Sequence, residues 1–164
     1  MRSPSRATGH VTTVAGGAAD GRYGAGMDSD VISGTGLESA LGALGARMGI
    51  AITEAAPERA AGTMPVQGNT QPLGLLHGGA SCVLAETLGS LAAALHAARY
   101  DGASVVGVDI NATHHKAVRS GTVTGVASAL RLGSSVCSYE VVITDETGER
   151  VCTARLTCLV RRQV

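Results

Sequence analysis

Between Asn69 and Ala97 the chain reads NTQPLGLLHGGASCVLAETLGSLAAALHA, a His77-Gly78-Gly79 turn directly ahead of a long apolar segment with one acidic residue, Glu86. An ionised carboxylate withdrawn from water carries a large penalty unless something compensates it, so a lone Glu inside a core helix is either strained or employed. The start of a helix exposes unpaired backbone N–H groups and a partial positive charge, and glycines at Gly78 and Gly79 leave that backbone unshielded. Such donors polarise an acyl carbonyl and stabilise the oxyanion formed when it is attacked. A carboxylate supplies the nucleophile or deprotonates a water. Glu86 lies nine residues after His77, which is roughly 13 Å along a helix axis, too far to serve one substrate atom within one chain. Two copies pairing with these helices antiparallel would bring Glu86 of one to the His77-Gly78 turn of the other, a site shared across a twofold interface.

These residues need a scaffold, and the hydrophobic spacing predicts one. Leu37, Leu41, Leu44 and Met48 recur at three- and four-residue steps, which predicts a short amphipathic helix over 37–48. Ile50–Thr53 and Ala60–Val66 read as strands around a turn at Ala56-Pro57-Glu58-Arg59, followed by a loop over 68–76. The central helix, roughly 79–98, has a broad stripe of Leu84, Leu88, Leu91 and Leu95, and a second face of Cys82, Glu86, Gly89, Ser90 and Ala93. Four long strands follow, 104–115, 121–132, 135–145 and 149–160, with short connections suited to antiparallel neighbours. A sheet with one dry face and one long apolar helix must cover each other. The expected fold is α+β, an antiparallel sheet wrapped around a long central helix.

With 164 residues the chain fits one domain with a real core. Residues 1–36 hold eight glycines and no helical or strand period, so they are expected to form a flexible Gly/Ala/Ser-rich extension ahead of a domain over 37–164. Met27, just before the first element, is the expected start of translation. Thirteen basic and thirteen acidic residues cancel, which offers no field to attract a nucleic acid. Cys82, Cys137, Cys152 and Cys158 form no C-x-x-C pair and read as reduced thiols. The apolar stretch 80–98 is interrupted by Glu86, Thr87, Ser90 and His96, which disfavours a membrane span. No apolar run follows Arg2 and Arg6 to make a secretory signal, and the expected location is the cytoplasm.

Residues 69–90, with Val105-Val106-Gly107-Val108-Asp109-Ile110-Asn111-Ala112-Thr113-His114, resemble the hotdog-fold acyl-CoA thioesterases of the PaaI and 4-hydroxybenzoyl-CoA thioesterase type. Within that family the likeness is strongest to the dihydroxynaphthoyl-CoA hydrolases and enterobactin proofreading thioesterases, and it spans about 37–160. The resemblance implies a hotdog fold, hydrolysis of an aromatic or related thioester on CoA or a carrier protein, and a homo-oligomer, either a dimer or a dimer of dimers. It implies no cofactor beyond the CoA of the substrate. Glu86 becomes the nucleophile or general base and the Gly78 amide the oxyanion donor, with Gln71 and His77 positioning the thioester or water. Thr87 and Ser90 would contact Glu86, the water or the acyl group. His114 matches a site histidine, on a strand face expected to carry Val106, Val108, Ile110 and Ala112 as well. Ser134, Ser135, Lys116, Arg161 and Arg162 would meet the pantetheine and nucleotide of CoA. Leu73 stands where relatives usually have Phe, and Asp109 where Glu is common, so acyl preference does not transfer.

Other readings are weaker. A hotdog-fold enoyl-thioester hydratase or dehydratase would need an acid–histidine pair placed for proton transfer at carbon, and a non-catalytic acyl-CoA-binding protein would bind without turnover. Gly34-Thr35-Gly36 lacks a preceding strand and a third glycine, and Ser81 lacks the closing glycine of a nucleophile elbow. His114 and His115 point to opposite strand faces, so they make no metal pair, and no metal is expected.

Overall fold

The computed structural model describes residues 41–162. The expected N-terminal extension and the first residues of the predicted 37–48 helix lie outside that range. What is described of that helix is a short α1, Gly42–Arg47. Strands β1 (Ala51–Ala55) and β2 (Arg59–Pro65) follow, then the long helix α2 (Gly78–Ala97). Four strands complete the domain: β3 (Ser104–His114), β4 (Thr122–Leu132), β5 (Val136–Thr144) and β6 (Arg150–Arg161).

All six strands form one antiparallel sheet in the order β1-β2-β4-β5-β6-β3. Its inner face curls around α2, as the α+β expectation required. The inner side chains include Met64, Val123, Val141, Ile143, Leu156 and Cys158, all at or near zero exposure. Leu84, Leu88, Ala92 and Ala93 of α2 are equally covered by them. The helix is long and apolar enough to cross a membrane by composition, with a mean hydropathy of 1.3. Its partner here is the sheet, and it is the core of the domain.

Two features depart from the sequence-based picture. The short connection after β3 does not make β3 and β4 neighbours, because β3 pairs with β6 at the sheet edge. Residues 115–121 instead run across the end of the sheet, tied by His115 N to Val151 O, Leu76 N to Val118 O and Val66 N to Gly121 O. Three strand spacings amount to about 14 Å, well within the reach of about 23 Å for seven extended residues. Second, β3 bulges between Gly107 and Asp109, a place where the extra residue reverses which side chains face inward. Gly107 pairs with Cys158 and Val106 with Leu159, whereas beyond the bulge Ile110, Ala112 and His114 pair with Leu156, Ala154 and Cys152. Cys158, Leu156, Ala154 and Cys152 are all buried, and Leu159 is exposed. The inward set is therefore Val105, Gly107, Ile110, Ala112 and His114, and Val106 turns outward.

Candidate active site

The start of α2 is set by His77. Its backbone is extended at φ −69°, ψ 130°, and its Nδ1 accepts a hydrogen bond from the Gly79 amide at 2.8 Å. An accepting Nδ1 carries no proton, so the imidazole presents Nε2–H outward from an exposed ring. This cap consumes one of the two glycine amides. The Gly78 amide has no acceptor among the described residues, and it stands at the positive end of a 20-residue helix.

Three elements converge on that amide. Gln71, Gly78, Ser81, His114 and Lys116 line one cavity of about 330 Å³. His114 packs against the Gly78 α-carbon so closely that a β-carbon there would lie 2.7 Å from Nε2. A side chain at 78 would therefore have to displace the His114 ring. Gln71 sits in a tight turn in which Gly74 N donates to Gln71 O at 2.9 Å and the Gln71 side-chain oxygen accepts from Leu73 N. That leaves the Gln71 side-chain N–H group as its free donor.

Glu86 lies elsewhere. Two turns along α2 it lines a second cavity of about 430 Å³ with Thr87, Cys82, Val83, Ile110 and Leu44. Ser90, one turn further on, donates its hydroxyl to Glu86 Oε1 at 3.2 Å. The Thr87 hydroxyl donates to Val83 O at 2.7 Å, so it is spent on its own helix. Oε1 of Glu86 lies directly over the α-carbon of Gly107, where any β-carbon would collide with it. Beneath this pair is the buried Cys158, whose thiol is pushed well above its usual range by its side-chain contact with Cys137 and then by burial. It stays protonated and adds no charge against the carboxylate.

The residues expected to meet CoA separate into two groups. Lys116 Nζ binds Asp145 at 2.6 Å and also Glu149. Both hydrogen bonds raise its pKa, and the one from Lys116 holds the Asp145 carboxyl well below the usual range. Two carboxylates therefore offset its charge. Ser134 and Ser135 form the exposed β4–β5 turn, where Ser135 O accepts from Val160 N at 2.8 Å. Arg161 ends β6 beside that turn, and the guanidinium of Arg162, the next residue, lies 4.1 Å from the centre of the Tyr100 ring. Among the described residues, no three His, Cys, Asp or Glu side chains gather as a metal site.

Sequence reasoning passed over two residues of this region. Gly107 was signalled, since a glycine inside a strand marks a bulge or a close approach. His96 was noted only as an interruption of the apolar stretch, and its partner lies 37 residues away.

A curled antiparallel sheet wrapped around one long central helix defines the hotdog fold. The chain belongs to the thioesterase superfamily, whose profile matches residues 73–152. It is 48% identical over 123 residues to the proofreading thioesterase EntH of Cronobacter turicensis, covering 74% of this chain and 88% of that protein. Among solved structures it is similar to a thioesterase of Haemophilus influenzae, with a TM-score of 0.71 and 38% identity over 77% of this chain and 87% of that one. A hypothetical thioesterase of Streptococcus pneumoniae, solved with coenzyme A, shares the fold at a TM-score of 0.62 and 22% identity, covering 70% of this chain and 87% of that one. The protein is a thioester hydrolase.

Proposed function

We propose that this thioesterase hydrolyses an aromatic or related acyl-CoA or acyl-carrier thioester, with each active site built from two subunits. The observation that carries the reading is the separation within one chain. Glu86 and the Gly78 amide open into different cavities, about 12 Å apart along the helix axis. A twofold partner closes that gap if the helices run antiparallel, with Cys82, midway between the two positions, beside the axis. Strand β3 offers the means. It is an edge strand with Val106, Val108 and Ile110 exposed at 41%, 59% and 37%, and an apolar unpaired edge is a template for another strand. The same strand covers Glu86 through Gly107, so pairing β3 with its copy brings the carboxylate to the interface.

In that assembly the thioester oxygen accepts from the Gly78 N–H of one subunit, with His77 Nε2–H and the Gln71 amide at hand to orient it. Glu86 of the other subunit either attacks the acyl carbon or takes a proton from a water that does. The tetrahedral oxyanion is held by the amide and the helix dipole until the C–S bond breaks. Thiolate leaves, is protonated, and water supplies the oxygen of the free acid. Ser134, Ser135, Arg161 and Arg162 would hold the nucleotide end of CoA. The test is a screen of free-thiol release over benzoyl-, hydroxybenzoyl-, phenylacetyl- and dihydroxynaphthoyl-CoA. Turnover of aryl thioesters supports the reading, and none above the uncatalysed rate refutes it.

A further inference from the structure

His96 stands in the last turn of α2 with no exposed surface. Its Nε2 lies 2.9 Å from the carbonyl oxygen of Gly133, the residue that opens the serine turn. A carbonyl only accepts, so Nε2 carries the proton. Nδ1 has no partner among the described residues. The bond satisfies the Gly133 carbonyl, while Nδ1 is buried without a partner, so the ring is only half matched to its surroundings.

What the ring does is tie two pieces of surface together. On one side it fixes Gly133, whose own N–H donates to Val136 O at 3.0 Å, so the turn over 133–136 is held from both directions. On the other it meets Tyr100 edge to face, with centroids 5.8 Å apart and planes at 82°. Tyr100 in turn carries the Arg162 guanidinium on its face. One buried imidazole thus sets the spacing between a pair of serine hydroxyls and a stacked guanidinium, groups that recognise phosphate oxygens by hydrogen bonding and charge.

We propose that His96 is a positioning residue for the phosphate-bearing end of the CoA substrate, acting through the Ser134-Ser135 turn and the Tyr100–Arg162 stack. The proposal rests on the reading of that corner as the nucleotide site. His96 lies ten residues beyond Glu86, about 15 Å along the helix, so it governs binding of the CoA arm and leaves the chemical step alone.

The experiment compares benzoyl-CoA with S-benzoyl-N-acetylcysteamine, which lacks the nucleotide, in the wild type, His96→Leu and His96→Gln. His96→Leu is expected to raise KM for benzoyl-CoA about tenfold, to leave kcat within about twofold, and to leave the truncated thioester unaffected. Gln, whose side-chain N–H reaches toward Gly133 O, is expected to restore KM. Equal losses on both substrates, or a loss confined to kcat, overturn the proposal. If His96→Leu does not fold, Tyr100→Leu reads the same arm; a raised KM for benzoyl-CoA alone supports the proposal, and an unchanged KM overturns it. A wild type that does not distinguish the two thioesters refutes the nucleotide corner itself. A distinction that survives in His96→Leu refutes only the role of His96.

Discussion

The Glu86 carboxylate rests on the bare α-carbon of Gly107, at the point where β3 bulges. The bulge turns this glycine inward and leaves room above it for Oε1, while Ser90 holds the same oxygen from the helix side. Gly107→Ala is therefore expected to displace the carboxylate while leaving its chemistry intact. A shift of about 1 Å at a reacting group costs on the order of 100-fold in rate. Steady-state kinetics should show the loss in kcat with KM little changed, and circular dichroism should show the fold retained. A Gly107→Ala enzyme of wild-type kcat would remove Gly107 from the positioning of Glu86.

Replacing the carboxylate itself tests the chemistry. Glu86→Gln keeps the shape and the Ser90 contact but neither attacks nor accepts a proton at pH 7. The expected fall in kcat is about 100- to 10,000-fold, the range for loss of a general base. Retention of most activity would end the assignment of Glu86.

Sharing between subunits has its own signature. Glu86→Ala is expected to be inactive or nearly so as a homodimer, and His77→Ala to be impaired to a smaller degree. Unfolded together and refolded, half of the dimers are mixed and each holds one intact site, so roughly a quarter of wild-type activity returns. No recovery in a mixture whose hybrid dimers are demonstrated would mean that each site lies within one chain.

Gly78 and His114 are coupled through space, because a β-carbon at 78 meets the imidazole. Gly78→Ala keeps the amide donor but pushes His114 away, so it is expected to lower both kcat/KM and thermal stability. In a His114→Ala background the same substitution meets no ring. The double-mutant cycle should then show an interaction energy of about 0.5–3 kcal/mol. An additive cycle would mean that the contact carries no energy.

The elements were legible because their periods are clean, with leucines at three- and four-residue steps in α2 and strict alternation in β6. The distance from Glu86 to the helix start was legible too, since helical rise converts sequence separation into length. The bulge was not. Nothing in the run Val105-Val106-Gly107-Val108 spells an extra residue, and uninterrupted alternation put Val106 on the wrong face. Strand order escaped for a different reason, since a seven-residue link spans three strands as easily as one. The tie between His96 and Gly133 depends on a partner brought near only by the completed fold.

Lys116 supplies a prediction with a definite pH sense. Its hydrogen bonds to Asp145 and Glu149 raise its own pKa, and the bond to Asp145 lowers that carboxyl. A depressed carboxyl stabilises the fold above its unfolded value, about 3.9. That contribution fades as pH falls through the folded value. A raised ammonium stabilises below its unfolded value, about 10.4, and its contribution fades as pH rises through the folded one. Both contributions are fully present between those limits; Lys116→Met removes the ammonium's contribution and the share of the Asp145 depression that Lys116 supplies, leaving the share held by Thr147 and the backbone amides. The variant should therefore melt lower than the wild type at pH 7, and the gap should narrow below about pH 3 and above about pH 11. Because Lys116 is partly exposed, at 35% of its side-chain surface, solvent screens the pair and the difference at pH 7 should be small. Thermal melts across that pH series decide it, and a gap that does not change with pH would show that Lys116 acts through packing and not through charge.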